Sequence, residues 1–200
     1  MLRKEFSLMM VQLDLKSDFI KWLLSKKNEQ LDEDEILEFR ELIKERRIRR
    51  FEIVESEIKK TGINSIDKFK KDYPNIFGEI YSQVLLFEDE VLSYDVKTRI
   101  PVYWDFRTFL HIYLRHCVEL QLGNTFEGKT PFSYNKKDIR KLLLIAIKQL
   151  DPRIQEKLSQ GLDFRVYGEK ALYFNGNYYS LRIEPSGRLD SFYPNEHLIE

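Results

Sequence analysis

The chain has 200 residues, of which 42% are hydrophobic and 14% aromatic, enough to bury the core of one substantial domain. This composition argues against global disorder. Basic and acidic residues number 33 each, so the formal net charge is zero. A zero net charge argues against strong non-specific attraction to nucleic acid, but charge gathered on one face can still form a basic patch.

The sequence predicts neither a disulfide nor a metal or cofactor site. Cys117 is the single cysteine, so no intrachain disulfide can form and a reducing compartment is expected. Its apolar neighbours favour a buried structural thiol over a nucleophile. One cysteine and three histidines do not supply a metal-ligand set, and no glycine-rich phosphate loop is present.

The N-terminal segment is too short and too charged for a membrane span or a secretory segment. Its apolar run is interrupted by Asp14, Lys16 and Asp18. We therefore expect a cytoplasmic protein with no membrane partner.

Residues 1–95 are predicted to form a helical N-terminal region. A short helix is expected over 16–27. A long amphipathic helix follows in LDEDEILEFRELIKERRIRRFEIVESEIKK, whose apolar residues recur at three- and four-residue steps, and Thr61-Gly62 supplies its stop. A further helical segment begins at the cap Ser65 and is broken or kinked around Pro74.

The basic run ERRIRR at 45–50 has two interpretations. It is either a nucleic-acid patch or the solvated face of the long helix. Acidic residues one helical turn away favour the solvated face.

Residues 96–200 are predicted to fold as a second unit of the α+β class. A helix over VYWDFRTFLHIYLRHCVELQLG ends at Gly123, and the next helix is capped by Asn135 and stops before Asp151-Pro152. The period then shifts to two in DFRVYG, KALYFN, NYYSLRIE and GRLDSFYP, with a tight-hairpin signal at Asn175-Gly176. We expect helices on one face of an antiparallel meander.

Alternation along these strands separates an apolar face from a polar face. The polar set is rich in guanidinium and hydroxyl groups, namely Arg165, Tyr167, Tyr173, Tyr178, Ser180 and Arg182. Guanidinium groups bind phosphates and phenol rings stack on bases, so this face suits RNA.

Two of the three histidines lie in FLHIYLRHC at 109–117. On a helix, His111 and Arg115 share one face and His116 lies about 100° further round. An imidazole that accepts a proton beside a guanidinium that holds an anion supplies the parts for cleaving RNA without a metal. The structural alternative is that His111 hydrogen-bonds within the helix while Arg115 reaches a carboxylate such as Glu119.

A helix carrying His-x-x-x-Arg-His, a KTPF segment, another helix and a meander ending in GRLDSFYP resembles the barnase–EndoU–RelE-like ribonuclease superfamily over residues 100–195. The similarity is greatest to the form found in phage proteins and polymorphic toxins. It implies metal-independent endoribonuclease activity on RNA with no cofactor. His111 would act as base or acid, with Arg115 and Arg165 as phosphate clamps and Thr130 and Ser191 as orienting donors. The expected substrate-binding residues are His116, Lys129, Tyr178, Arg182 and Tyr193.

The alternative is a non-catalytic protein-interaction module of an immunity-like, regulatory or phage structural kind. Its long charged N-terminal helices would contact a protein partner or inhibitor. The zero net charge and those helices favour this alternative, whereas the histidine–arginine cluster and the hydroxyl-rich sheet favour the nuclease.

Overall fold

The computed structural model describes residues 33–93, 100–120, 122 and 130–195. Within residues 33–93 it has three helices: α1 (Glu33–Lys59), α2 (Ile66–Asp72) and α3 (Pro74–Leu86). The predicted cap is confirmed, since the Ser65 hydroxyl accepts a hydrogen bond from the Lys68 amide at 3.2 Å. Pro74 is the first residue of α3, a position at which a backbone amide has no hydrogen-bond acceptor within the helix. Proline, which has no amide hydrogen, is therefore tolerated there. The helix expected over 16–27 lies outside the described residues.

Two short strands follow, and here the helix predicted from Val102 is wrong. Strand β1 (Glu90–Ser93) pairs antiparallel with β2 (Val102–Trp104), which is buried along its whole length. Helix α4 (Phe106–His116) begins only after Asp105, whose carboxylate accepts from the Thr108 amide at 2.8 Å. Short aromatic runs fit either element, and the aspartate cap sets the boundary.

Helix α5 (Lys136–Ser159) begins at the predicted cap, with the Asn135 side chain accepting from two backbone amides. Its predicted stop before Pro152 is wrong. Pro152 removes the donor for the Lys148 carbonyl, but residue 148 is exposed and water can take that place. The apolar stripe continues past the proline, from the buried Leu150 before it to the buried Ile154 and Leu158 beyond it, and this packing holds the helix together.

The C-terminal sheet contains β3 (Phe164–Val166), β4 (Leu172–Phe174), β5 (Asn177–Ile183) and β6 (Leu189–Asn195). Strand β5 is central: β3 and β4 pair with one of its edges and β6 with the other, always antiparallel. The predicted hairpin at Asn175-Gly176 is confirmed, with φ of 48° and 83° at the two positions. The α+β class is therefore confirmed.

One hydrophobic core joins the helical region to the sheet. Val54 and Ile58 of α1 belong to the same buried cluster as the inward faces of α4, α5 and the strands. The predicted apolar face of the sheet is confirmed, with Phe174 only partly buried. Cys117 is buried in this core, and burial raises the pKa of its thiol to about 11, as suits a structural residue.

The start of β6 is fixed by a close approach of two backbones. Gly187 has φ of 86°, and a Cβ atom there would lie 2.0 Å from the carbonyl oxygen of Pro101. The Gly187 carbonyl accepts from the Tyr103 amide at 3.0 Å. Only glycine fits this position, which ties β6 to β2 and so to the start of α4.

Candidate functional site

Helix α4 lies beside β6, and the two elements run in the same direction. The Thr108 hydroxyl donates to the Leu189 carbonyl at the start of both elements. At their far ends, the His116 ring lies over the Tyr193 ring. We call this contact between Phe106–His116 and Leu189–Asn195 the α4–β6 seam. Of the predicted site residues, His116, Ser191 and Tyr193 belong to it, and the Thr130 carbonyl contacts its far end.

His116, Thr130 and Tyr193 are brought together at the far end of the seam. His116 Nδ1 lies 2.9 Å from the Thr130 carbonyl oxygen, and its ring stacks on Tyr193 at 5.3 Å with an interplanar angle of 14°. A carbonyl only accepts hydrogen bonds, so Nδ1 carries the hydrogen. In the neutral ring the lone pair then lies on Nε2, the nitrogen that takes up a proton. Thr130 contributes its backbone carbonyl to this contact, where the sequence predicted a side-chain donor.

His111 and Arg115 face the N-terminal helix α1. Both approach the Oε2 atom of Glu57, His111 through Nδ1 at 3.9 Å and Arg115 through a terminal nitrogen at 3.8 Å. Lys60 donates to the other oxygen of the same carboxylate. Glu57 is only 4% exposed. The carboxylate facing Arg115 is therefore Glu57, whereas Glu119, the alternative expected from its proximity in the chain, accepts from the Lys136 amide at 2.7 Å.

The environment of His111 favours the neutral imidazole. Burial lowers its pKa below the usual value, and the neighbouring Arg115 lowers it further. The negative charges of Glu57 on α1 and Asp190 on β6 oppose this shift without reversing it. His111 thus lies in the electric field of both elements that flank α4.

The polar face of the sheet carries a row of paired charges. Arg165 is directly opposite Arg182 across β3 and β5, and Arg182 is opposite Ser191 on β6. Asp163 pairs with Arg165 and lies 3.5 Å from Arg182. Hydrogen bonding from Arg165 lowers the pKa of Asp163 below its usual value. Arg182 also donates to Asp190 at 3.1 Å. Arg182 and Ser191 therefore lie next to the seam.

Arg165 and Tyr178 lie away from the histidines. Arg165 is on β3, separated from β6 by β5, so about 10 Å divides the two backbones at the usual strand spacing. Tyr178 lies opposite Asn195 and packs on Tyr173 with ring centroids 5.0 Å apart. Lys129 lies outside the described residues.

Sequence reasoning missed two buried charges on α1. Arg50 and Glu57 are each 4% exposed, so the interpretation of ERRIRR as a wholly solvated face is wrong for Arg50. Arg50 donates to the carbonyls of Val84 and Phe87 at the end of α3, at 3.0 and 2.8 Å. A signal was present, because both residues fall at three- and four-residue steps from the apolar Val54.

Comparisons with known proteins do not add a family: no family model matches the chain, and no curated protein or solved structure is significantly similar to it. Within the described ranges, no group of three histidine, cysteine, aspartate or glutamate side chains is placed to hold a metal ion. Across those same ranges, none of the helices combines the length and apolar character needed to cross a membrane.

Proposed function

We propose that the protein is a metal-independent endoribonuclease whose reacting groups lie at the α4–β6 seam. The observation that carries this proposal is the orientation of His116, with Nδ1 on the Thr130 carbonyl and the ring on Tyr193. A fixed tautomer with its lone pair on Nε2 is what a general base requires. The resemblance of residues 100–195 to the barnase–EndoU–RelE-like superfamily supports the same activity.

In the proposed reaction, His116 Nε2 takes the proton of a ribose 2′-hydroxyl. The 2′-oxygen attacks the adjacent phosphorus and forms a 2′,3′-cyclic phosphate, while the bond from phosphorus to the 5′-oxygen breaks. The imidazolium then returns the proton to the departing 5′-oxygen. Ser191, which lies further back along β6, and Arg182, its partner on β5, suit the stabilisation of charge on the phosphoryl oxygens. The proposal moves the base from His111 to His116.

The burial of His116 sets one requirement. The residue is 5% exposed, and a general base must come within hydrogen-bond reach of the hydroxyl that it deprotonates. RNA binding therefore has to open the seam on the side of Thr130 or Tyr193. Catalytic hydrogen bonds are often long in a free enzyme and shorten only when the substrate is bound.

The test is incubation of purified protein with labelled single-stranded RNA in EDTA, comparing wild type with His116→Asn. The asparagine amide keeps a donor for the Thr130 carbonyl but provides no base. We expect wild type to produce 2′,3′-cyclic phosphate ends and the variant to cut about 100-fold to 10,000-fold more slowly. Arg47→Ala, at an exposed position on α1, is the control and should cut like wild type. RNA left intact by wild type across many sequences contradicts the proposal.

A specific observation favours a second candidate, the non-catalytic protein-interaction module. His111 and Arg115 face the buried Glu57, so these two predicted site residues help to hold α1 against α4. Helices α1 and α3 also expose large apolar side chains, with Ile48 at 52% and Leu86 at 71%. Such residues suit a surface for a protein partner. Intact RNA, together with destabilisation by His111→Asn or Arg115→Ala, would favour this candidate.

A further inference from the structure

A cleft of about 270 Å³ opens where α1, the start of α4 and the turn before β6 meet. Its charged lining is dominated by guanidinium groups from these three places: Arg46, Arg49, Arg50, Arg107 and Arg188. Two carboxylates, those of Asp89 and Asp105, also line it. Asp89 lies 3.7 Å from Arg50, and Arg188 is already hydrogen-bonded to Glu184, so the positive charge that can attract an anion comes mainly from the arginines at the rim. We call this hollow the arginine cleft.

The arginines of the cleft have two kinds of environment. Arg50 forms a rigid floor, because it is buried, donates to two carbonyls at the end of α3 and stacks over the Phe106 ring at 4.8 Å. Arg46 also donates to the Phe87 carbonyl. Arg49 and Arg107 are exposed at the rim. The 3.9 Å contact of Arg49 with Glu45 is a surface ion pair of the weak kind that a ligand can replace.

The ligand would be held by guanidinium groups rather than by backbone amides. At the start of α4, the Phe106 amide already donates to Asp89 at 3.2 Å and the Thr108 amide to Asp105 at 2.8 Å. The partial positive charge of the helix end still faces the cleft and adds to the attraction. Planar guanidinium groups pair with two oxygens of a phosphate at once.

The cleft adjoins the start of the α4–β6 seam, because Phe106 and Arg107 belong to both. Arg188 lines the cleft and lies 3.8 Å from Asp190, the residue that also accepts from Arg182 beside the seam. Arg107 precedes His116 by nine residues on α4, which is a rise of about 14 Å and a rotation of about 180° about the helix axis, so a strand that contacts both passes from the α1 side of α4 to the β6 side. Sites for single-stranded nucleic acid commonly span about four or more nucleotides, so one strand can occupy both places.

We infer that the arginine cleft is a phosphate-binding subsite for the backbone of single-stranded RNA whose cleaved bond lies at the far end of the seam. This inference rests on the proposed function. It assigns Arg49 on α1 to RNA binding, with Arg50 and Arg46 supporting the floor of the cleft. The cleft anchors the strand, and His116 performs the chemistry.

The experiment measures binding of a labelled 2′-O-methyl RNA oligonucleotide, which cannot be cut because it lacks the 2′-hydroxyl. Fluorescence anisotropy is recorded over a series of salt concentrations. Wild type is compared with the double variant Arg49→Ala/Arg107→Ala and with the control Arg47→Ala/Lys148→Ala, which removes the same charge from exposed positions outside the cleft. Arg50 is left intact because it holds the end of α3.

We expect the cleft variant to bind about tenfold more weakly or worse, with the control close to wild type. The slope of log affinity against log salt should fall by about 0.7 for each phosphate that the variant no longer neutralises. Thermal unfolding of both variants should match wild type, because all four altered side chains are exposed.

Equal affinity and equal salt slope for the cleft variant and wild type overturn the inference, even where wild type cuts natural RNA. Loss of binding in the cleft variant alone supports it, even where wild type leaves natural RNA intact and the proposed catalysis fails. The last measurement tests binding of a poly-glutamate peptide. Binding of this peptide through Arg49 and Arg107 without binding of the oligonucleotide overturns the inference and assigns the cleft to an acidic protein partner.

Discussion

The two sides of helix α4 use similar residues for different purposes. On the side facing α1, His111 and Arg115 approach one buried carboxylate, that of Glu57. On the side facing β6, His116 is fixed by a backbone carbonyl and an aromatic ring. The first arrangement neutralises buried charge and joins two helices, whereas the second sets the tautomer of an imidazole.

This difference separates a structural histidine from a candidate catalytic one. A histidine near a carboxylate and an arginine has parts of a catalytic site, but at His111 both partners belong to the contact between α1 and α4. Clustering in sequence therefore pointed to α4 but not to the side of the helix on which the proposed base lies. Variants on the two sides should have opposite effects on stability and activity.

The largest expected effect is on the rate of RNA cleavage. His116→Asn should lower it by about 100-fold to 10,000-fold, because the base is lost while the donor to Thr130 remains. His111→Asn should retain most of the activity but lower the thermal midpoint. Single-turnover cleavage and thermal unfolding are measured on both variants. If His111→Asn abolishes cleavage and His116→Asn does not, the assignment of the base to His116 is wrong.

The next effect is on stability and concerns the carboxylate on the α1 side. Glu57→Ala should lower the free energy of unfolding by about 1–3 kcal/mol, because Lys60 loses its hydrogen-bonding partner and Arg115 loses a buried carboxylate 3.8 Å away. Urea unfolding measures this change. The matched control is Glu55→Ala on the same helix, where an exposed ion pair with Lys59 is worth about 1 kcal/mol at most. Equal destabilisation by the two substitutions would contradict the structural role of Glu57.

Much of the fold is predictable from local signals. The cap at Asn135, the hairpin at Asn175-Gly176 and the alternation along the four C-terminal strands each depend on residues within a few positions of one another. The apolar face of the sheet follows from that alternation. These features are sufficient to predict the α+β class.

The errors and omissions share a different cause. Val102–Trp104 is a strand because β1 lies beside it, and α5 passes Pro152 because buried residues on both sides of it pack in the core. Glu57 and Arg50 join α1 to the rest of the fold through partners 34 to 58 positions away along the chain. No local pattern fixes such partners, although a charge on an apolar stripe indicates that one exists.

A smaller effect is expected at the ring that supports His116. Tyr193→Leu should lower the cleavage rate about threefold to tenfold, because an aromatic contact of about 0.5–1.5 kcal/mol no longer orients the imidazole. Tyr193→Phe keeps the stacking and should cut nearly as wild type. The cleavage rates of the two variants are compared under single-turnover conditions. A large loss in Tyr193→Phe would instead assign a role to the hydroxyl group.

The smallest effect is a pH dependence of stability from the α1 side. The unfolded chain carries His111 with its ordinary pKa of about 6.5, whereas burial and Arg115 lower that pKa in the folded protein. Below about pH 6.5 the unfolded chain therefore binds the proton first, and stability is lost as the pH falls towards the folded value. Above that pH both states are neutral at this position, and His111 does not make stability depend on pH.

The difference in unfolding free energy between wild type and His111→Asn should be constant above about pH 6.5 and decline below it. Glu57→Gln should steepen the decline, because the negative charge of Glu57 raises the pKa of His111 and so opposes the effect of burial. Urea unfolding at several pH values measures all three proteins, and a difference that stays constant down to about pH 5 would show that the surroundings of His111 do not disfavour its protonated form.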